Sequence, residues 1–323
     1  MVTVDLVAEF EAERGRLIAV AHRMLGSRSE AEDAVQETWL RYAGALADPD
    51  SRAEVRHLGG WLTTTCARIC LDVLRSARVR RETYPGQWLP EPLVTAVGGV
   101  PGPDGFAPDP ADRAVRRDQL GTALLVVLER LGPEQRVAFV LHDVFAVPFA
   151  RIAEVLSSTP EAARQLASRA RRAVTATDAP RHTADPAEQR RVLAAFTAAT
   201  ESGDLDALVR VLAPDVVLIG DSGGHFSTAR RPVVGADPVA RFLLGLFGRA
   251  GRYGQRLRAE PVLVDGVLGL HLETVQPDGR LLRMVTGFAV HDGRISGLFH
   301  QLNPDKLHQL PDLDPDATWP PRW

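Results

Sequence analysis

Two groups of residues in this sequence are equipped to recognise nucleic acid. The stretch PEAARQLASRARR holds Glu161, Arg164, Gln165 and Ser168 in what would be the first turns of a helix, then Arg169, Arg171 and Arg172. Arg and Gln side chains match the donors and acceptors on base edges, while arginines further along such a helix suit phosphates. The short segment FARIAEVL and the turn SSTP precede it. That order is a helix-turn-helix shape, whose second helix enters the major groove with its N-terminal residues toward the bases. An ordinary helical hairpin with a solvated basic face has the same pattern, and these residues alone leave both open. The second group is Arg68, Arg75, Arg78, Arg80 and Arg81, downstream of Trp61. Cations along a helix tail suit a nucleic-acid backbone and an aromatic ring suits a base as a platform, while a solvated helix tail has the same pattern. Trp61 fits either as such a platform or as a core residue.

A third group is different. Asp33, Gln36, Glu37 and Arg41 share one face of a helical stretch. Its acids cannot favour DNA, so the face suits a protein partner. Further on, Asp221, His225, His271, Glu273 and His300 are candidate acid–base groups, with His271 and Glu273 on one face of a strand by period two.

The elements that must position these residues can be read from periodicity. Apolar residues at helical spacing predict helices from Asp5 to Leu25, from Ser29 through SEAEDAVQETWLRY, and from about Gly60 to Arg81. Ser29 with Glu32 forms a capping-box pattern. A second helical block follows: Ala114 to Leu131, Glu134 to Phe145, Phe149 to Leu156, and Pro160 to about Thr175, with Thr159 as its cap and Pro160 in its first turn. Beyond a second linker, helices are predicted at Pro186 to Ser202, Leu205 to Leu212 and Asp237 to Phe247. Three Asp-Gly pairs, at 265–266, 278–279 and 292–293, then separate β-like runs and predict hairpins. This last region reads as helices followed by an antiparallel meander.

Composition sets limits. The chain has 323 residues, 45% hydrophobic and 24% charged, with a net charge of -3. Two or three soluble domains are expected, and a uniformly basic nucleic-acid binder is not. The start MVTVDLVAEFEAERGR lacks a basic segment and an apolar h-region, and no apolar run reaches transmembrane length. A cytoplasmic protein with no membrane association is the expectation. Cys66 and Cys70 read as small buried hydrophobes, and no metal or cofactor set is visible.

The segment GQWLPEPL stands out. It lies in a Pro/Gly-rich stretch that cannot fold alone, yet Trp88, Leu89 and Leu93 are large and apolar and are spaced by Pro90 and Pro92. Such residues call for a docking surface. We expect them to bury against the third domain near Asn303 to Leu307, with a cap on the first helical block as the alternative.

Taken in order, AEDAVQETWLRY, GGWLTTTCARICLDVLRSARVRRE and LERLGPEQRVAFVLHDVFAVPFARIAEVLSSTPEAARQLASRARRAV resemble the two domains of the extracytoplasmic-function (ECF) sigma factors, over roughly residues 5 to 176. The C-terminal region is similar to SnoaL-like domains of the nuclear transport factor 2-like superfamily. Three segments, WLPEPL, DSGGH (Asp221, Ser222, Gly223, Gly224, His225) and NPDKL (Asn303, Pro304, Asp305, Lys306, Leu307), resemble signature positions of a sigma-J type subgroup that carries such a domain as a fused extension. In that subgroup the second segment reads Asp-Gly-Gly-Gly-Lys, so Ser222 and His225 depart from it, and His carries a charge only when protonated.

The resemblance implies a multidomain protein: two all-α domains (sigma-2 over 1–82, sigma-4 helix-turn-helix over 113–177) and an α+β SnoaL-like cone over 187–311. Linkers at 83–112 and 178–186 and a tail at 312–323 complete it. It implies that Asp33, Gln36, Glu37 and Arg41 dock on core RNA polymerase. The helix bearing Trp61, Arg68, Arg75, Arg78, Arg80 and Arg81 would open and read the minus-ten element. Glu161, Arg164, Gln165, Ser168, Arg169, Arg171 and Arg172 would read the minus-thirty-five element of promoter DNA. Trp88, Leu89, Pro90, Glu91, Pro92 and Leu93 would form an interdomain regulatory set with the DSGGH and NPDKL residues. No separate anti-sigma factor would be required. An unidentified small molecule could occupy the cone. Two other readings keep a place: a SnoaL-type enzyme or ligand sensor fused to a DNA-binding module, and a plain repressor that works without polymerase.

Overall fold

Apolar residues three and four apart drive the first half of the chain into helices. In the computed structural model, α1 (Leu6–Leu25) buries Phe10, Leu17, Val20, Ala21 and Met24 against α2 (Arg28–Ala45) and α3 (Leu58–Arg81). The described residues are 6–45, 55, 57–81, 84, 86–97, 121–176, 184–252, 256–314 and 316–321, with backbone alone for 77–81, 176 and 249–252. The cap of α2 falls earlier than Ser29. Gly26, at φ +70°, ends α1, and Ser27 Oγ accepts from Glu30 N at 3.3 Å, while Glu32 pairs with Arg28 at 2.9 Å. The corner is so short that the first capable side chain takes the cap.

The second helical block contains α4 (Gly121–Leu128), α5 (Pro133–Phe139), α6 (Phe149–Leu156) and α7 (Pro160–Ala176). The single helix expected through Phe145 widens at Val140 into a π-helical turn, Val140–Val144. Thr159 Oγ1 accepts from Ala162 N at 3.2 Å and so caps α7. Ala163, Ala167 and Ala170 are buried, and this small-residue stripe lets α7 lie close against α5 and α6. Cys66 and Cys70 are buried free thiols in α3.

The chain divides into two compact units: the described residues within 1–82, 106–118 and 127–177, and those within 83–105, 119–126 and 178–323. The two helical blocks thus belong to one unit. The division falls inside α4.

In the second unit, α8 (Pro186–Ser202) is capped by Asp185, which accepts from Ala187 N and Glu188 N at 2.8 Å. α9 (Leu205–Val211) and α10 (Ala236–Arg252) follow. The sheet comprises β1 (Val94–Ala96), β2 (Leu212–Asp221), β3 (Val233–Val234), β4 (Leu257–Val264), β5 (Val267–Val275), β6 (Leu281–His291) and β7 (Arg294–Gln301), in the order β1-β4-β5-β6-β7-β2-β3. The three Asp-Gly pairs sit in the β4–β5, β5–β6 and β6–β7 connections, with Gly266, Gly279 and Gly293 at positive φ. The meander is not the whole sheet. β2 runs parallel to β7, with Leu218 opposite Leu298.

Alternation along the strands gives the sheet two occupied faces. The inner face, with Leu218, Leu268, Leu270, Phe288 and Leu298, packs on the three helices. The outer face is covered by three segments far apart in sequence. Leu89 and Ala123 pack on Ile219, Ala289 and Phe299. Leu307 and Leu310 pack on Val262, Val264 and Val285. Here the structure departs from the expected linker and tail. Val94–Ala96 pairs antiparallel with β4, and Trp319 stacks on Phe247 at 5.0 Å. Composition hides this, because a Pro-rich segment with a few large apolar residues folds once a preformed sheet supplies the partner.

Candidate functional site

The nucleic-acid candidates lie on two helices of the first unit. On α7, Glu161, Arg164, Gln165, Arg169, Arg171 and Arg172 are exposed and Ser168 is half-buried, opposite the alanine stripe. Two of the cations are already held: Arg164 stacks over Phe149 at 5.2 Å, and Arg171 pairs with Asp143. Both contacts orient the side chain without hiding it.

On α3, Arg68 donates to the Glu154 carbonyl at 2.7 Å and Arg75 pairs with Glu134 at 2.9 Å. Two of the candidate single-strand cations are therefore occupied by the helix-turn-helix block. Arg78, Arg80 and Arg81 lie on the described backbone of α3, but their side chains lie outside the described set. Trp61 is half-buried, 6.3 Å from Tyr42 between ring centres.

On α2, Asp33, Gln36 and Arg41 are exposed and Glu37 pairs with Arg41 at 2.9 Å. Leu40 joins this face at 57% exposure, an apolar residue that the sequence reading passed over. Beneath these surfaces Arg136 is buried and pairs with Glu129. Burial lowers its pKa to about 9, partly offset by Glu30.

In the second unit the three signature segments meet at one carboxylate. Asp221 ends β2 and is fully buried. Its Oδ1 accepts from the Tyr84 hydroxyl at 2.7 Å and from Gly223 N at 3.0 Å. Its Oδ2 accepts from Leu89 N at 2.9 Å and Lys306 Nζ at 2.8 Å. Lys306 Nζ also donates to the Leu89 carbonyl at 2.6 Å and lies 4.2 Å from the Trp88 ring centre and 4.8 Å from that of Tyr84. One ammonium thus meets a carboxylate, a carbonyl and two aromatic faces.

Asn303 Nδ2 donates to the Tyr84 hydroxyl at 2.9 Å, while its Oδ1 accepts from Asp305 N at 3.0 Å and so shapes the Pro304–Lys306 turn. Gln301 Nε2 donates to the Pro90 carbonyl at 3.3 Å. Glu91 is buried and Pro92 and Leu93 are half-buried; Leu93 N donates to Asp265 Oδ1 at 3.1 Å. Burial and Asp221 push the Tyr84 phenol well above its usual range, so it stays a donor.

Gly223 shows why this motif needs glycine. It has φ +57°, and a Cβ there would lie 2.6 Å from the Asn303 side chain. Gly224 also has positive φ. His225 is exposed at the rim, 3.6 Å from Asp305. The position that carries lysine in the resembling motif is thus not the one that meets Asp221. Lys306 fills that role.

Tyr84 and Gln301 were not foreseen. Tyr84 is only a tyrosine in a polar stretch, and Gln301 is one more strand residue. Nothing local marks either.

Of the acid–base candidates only His271 and Glu273 meet, Nε2 to Oε1 at 3.6 Å, both buried. Asp221, His271 and Glu273 lie on the outer face of the sheet, His300 on the inner face, and His225 in a loop. Glu273 is engaged by Arg283 at 3.1 Å and Arg258 at 3.7 Å. Burial is the main force lowering His271 and the one force lowering His300, each to about 4, with Arg283 adding to the effect on His271. Among the described residues no group of three His, Cys, Asp or Glu could hold a metal, and no helix is long and apolar enough to cross a membrane.

Comparison with known proteins places both halves. Residues 10–80 match the Sigma-70 region 2 family and residues 122–174 match Sigma-70, region 4. The chain is 46% identical over 314 residues, 94% of each protein, to ECF RNA polymerase sigma factor SigJ of Mycobacterium tuberculosis. It is 38% identical over 304 residues to probable ECF RNA polymerase sigma factor SigI of the same species, covering 94% of this chain and 95% of that one. The crystal structure of the former matches with a TM-score of 0.74 at 44% identity, over 94% of this chain and 99% of that chain. The helical sigma regions are followed by the α+β C-terminal unit, the cone below, whose seven-stranded sheet packs on three helices.

Proposed function

The chain belongs to the extracytoplasmic-function sigma factors, and we propose that its C-terminal unit governs initiation in cis through the linker it holds. A sigma factor joins core RNA polymerase and directs it to promoters. In this reading α2 presents Asp33, Gln36, Glu37, Leu40 and Arg41 to polymerase. α3 takes the minus-ten strand with Trp61 and its arginines, and the exposed face of α7 reads the minus-thirty-five element. This work belongs in the cytoplasm, with polymerase, and needs no separate anti-sigma factor.

One observation carries the cis-regulatory part. The segment joining α3 to α4 is fastened to the cone by Asp221, Lys306, Gln301 and Asn303. The reach between the two DNA-reading blocks depends on how much of that segment is free. A docked linker therefore sets their spacing, and an undocked one relaxes it. The engagement of Arg68 by Glu154 and of Arg75 by Glu134 supports a resting state from which these cations must be released. Asp221, His225 and His300 lie apart from the one contacting pair, His271 and Glu273, whose carboxylate Arg258 and Arg283 already hold, and this favours a regulatory cone over an enzyme.

The test is transcription in vitro with core polymerase and a promoter library, using full-length protein and a truncation that ends before Asn303. Initiation by either, with a clear difference between them, is expected. No initiation by either protein refutes the sigma reading. Equal initiation refutes regulation in cis.

A further inference from the structure

The cone contains a cavity of about 880 Å³ beside the linker dock. One side of its wall is apolar: Leu257, Leu272, Met284 and Leu302 from the inner face of the sheet, Phe247 from α10, and Phe226 from the loop after β2; Ser227, Thr228 and Gln276 are among its polar lining. The cationic side chains lining it are Arg230 and Arg280, with the imidazole of His225 beside them, and among the described lining residues there is no Asp or Glu. Arg280 shares its charge with Asp278 at 2.7 Å and stacks over Phe226 at 5.2 Å. Arg230 is exposed at the rim. Inside, Thr274 is 8% exposed and its Oγ1 has no hydrogen-bond partner among the described residues. Leaving a buried hydroxyl unmatched costs free energy that a ligand acceptor or donor can recover.

We propose that this cavity binds an amphipathic organic acid: an apolar, ring-bearing or long-chain body against the leucines, with its anionic group at the rim beside Arg230 and Arg280. The volume suits a drug-sized or larger molecule. The lining offers an amine no carboxylate, and the hydroxyl of Thr274 adds a polar contact within the apolar part.

The site is coupled to the linker, and this step rests on the cis-regulatory reading. Gly86 and Gln87 line the cavity. Gln87 Nε2 donates to the Ala229 carbonyl at 3.1 Å, next to Arg230. Trp88 and Leu89 follow directly and are the residues held by Lys306 and Asp221. A ligand that touches both the 222–230 loop and Gln87 binds the docked linker better than the undocked one. By linkage it must favour docking.

The experiment uses full-length protein without polymerase or DNA, so its failure is separate from failure of the sigma reading. 8-Anilino-1-naphthalenesulfonate serves as a fluorescent probe, with naphthoate, decanoate and decylamine as competitors. Saturable binding displaced by both acids but not by the amine is expected. Met284→Trp fills the cavity and should abolish binding, and Thr274→Val should weaken it several-fold. Arg230→Glu, at an exposed position that leaves packing intact, should weaken it about tenfold or more. Naphthoate at ten times its Kd should slow proteolysis within residues 84–97 by about tenfold. No saturable binding, displacement by decylamine as strong as by the acids, or binding within twofold of wild type in Arg230→Glu overturns the site. Unchanged proteolysis overturns the coupling to the linker.

Discussion

Lys306 Nζ lies 2.8 Å from Asp221 Oδ2, and the two charges enclose the backbone of Leu89 between them, Asp221 taking its amide and Lys306 its carbonyl. Lys306 is 14% exposed and Asp221 is fully buried. Neither charge could be tolerated there alone, because an unpaired buried carboxylate costs several kcal/mol. The pair is therefore a lock on one linker residue as much as an ion pair within the cone.

Lys306→Met removes the cation and leaves Asp221 facing an apolar chain. The expected loss is on the order of 3 kcal/mol in the stability of the C-terminal unit, read by denaturant unfolding. Transcription should change in the same direction as in the truncation that ends before Asn303. Trp88→Ala should move it the same way but less, since it removes one aromatic face and leaves the ion pair. A Lys306→Met protein with wild-type transcription would disprove the lock.

Gly223→Ala places a Cβ 2.6 Å from Asn303 in a left-handed backbone. Strain and clash together should cost about 2 kcal/mol or more. Asn303 also holds Tyr84, so the linker should loosen along with the loop. Faster proteolysis within residues 84–97 of the variant checks this. A Gly223→Ala protein as stable and as resistant as wild type would show that the loop is softer than its geometry implies.

Much of this was legible in the sequence where a local rule applies. Helical periodicity gave α8 and α6 to the residue, and Asp-Gly pairs marked three hairpins because those turns need positive φ. The expectation that Trp88 and Leu89 need a partner came from their size amid prolines. What could not be read depends on distant partners. The parallel pairing of β2 with β7 joins residues about 80 apart. β1 exists only because β4 offers an edge. The tail reads as a mere appendage because Asp312 and Trp319 show nothing of Arg283 and Phe247 waiting for them. Lys306 was visible as part of a motif, but its meeting with Asp221 was not.

Acid should weaken the cone before it weakens a typical carboxylate-stabilised fold. His271 and His300 have folded pKa values of about 4, against about 6.5 when unfolded. Between those values the unfolded chain binds more protons, so stability falls as pH drops through 6.5 toward 4. From pH 7.5 to pH 5 the loss is about 2 kcal/mol per histidine. His300→Gln, which cannot titrate, should show about half the pH slope of wild type in denaturant unfolding. An unchanged slope would mean that His300 is neutral for no energetic reason.

Arg75 and Glu134 offer a way to separate packing from DNA contact. Their ion pair is about half exposed on the Arg75 side, 52%, and 41% on the other. Breaking it should change stability by less than about 1 kcal/mol from either side. If Arg75 serves only to hold α5, then Arg75→Ala and Glu134→Ala should act alike on transcription. If Arg75 is a strand-binding cation kept occupied in the resting protein, the two must diverge. Glu134→Ala frees the arginine and should raise promoter opening. Arg75→Ala removes it, and should lower opening and reduce the slope of log affinity against log salt by about 1. Glu134→Arg added to Arg75→Glu restores an ion pair of reversed sense without restoring the cation at position 75. The double variant should therefore recover stability and not promoter opening. Recovery of both would assign Arg75 to packing alone.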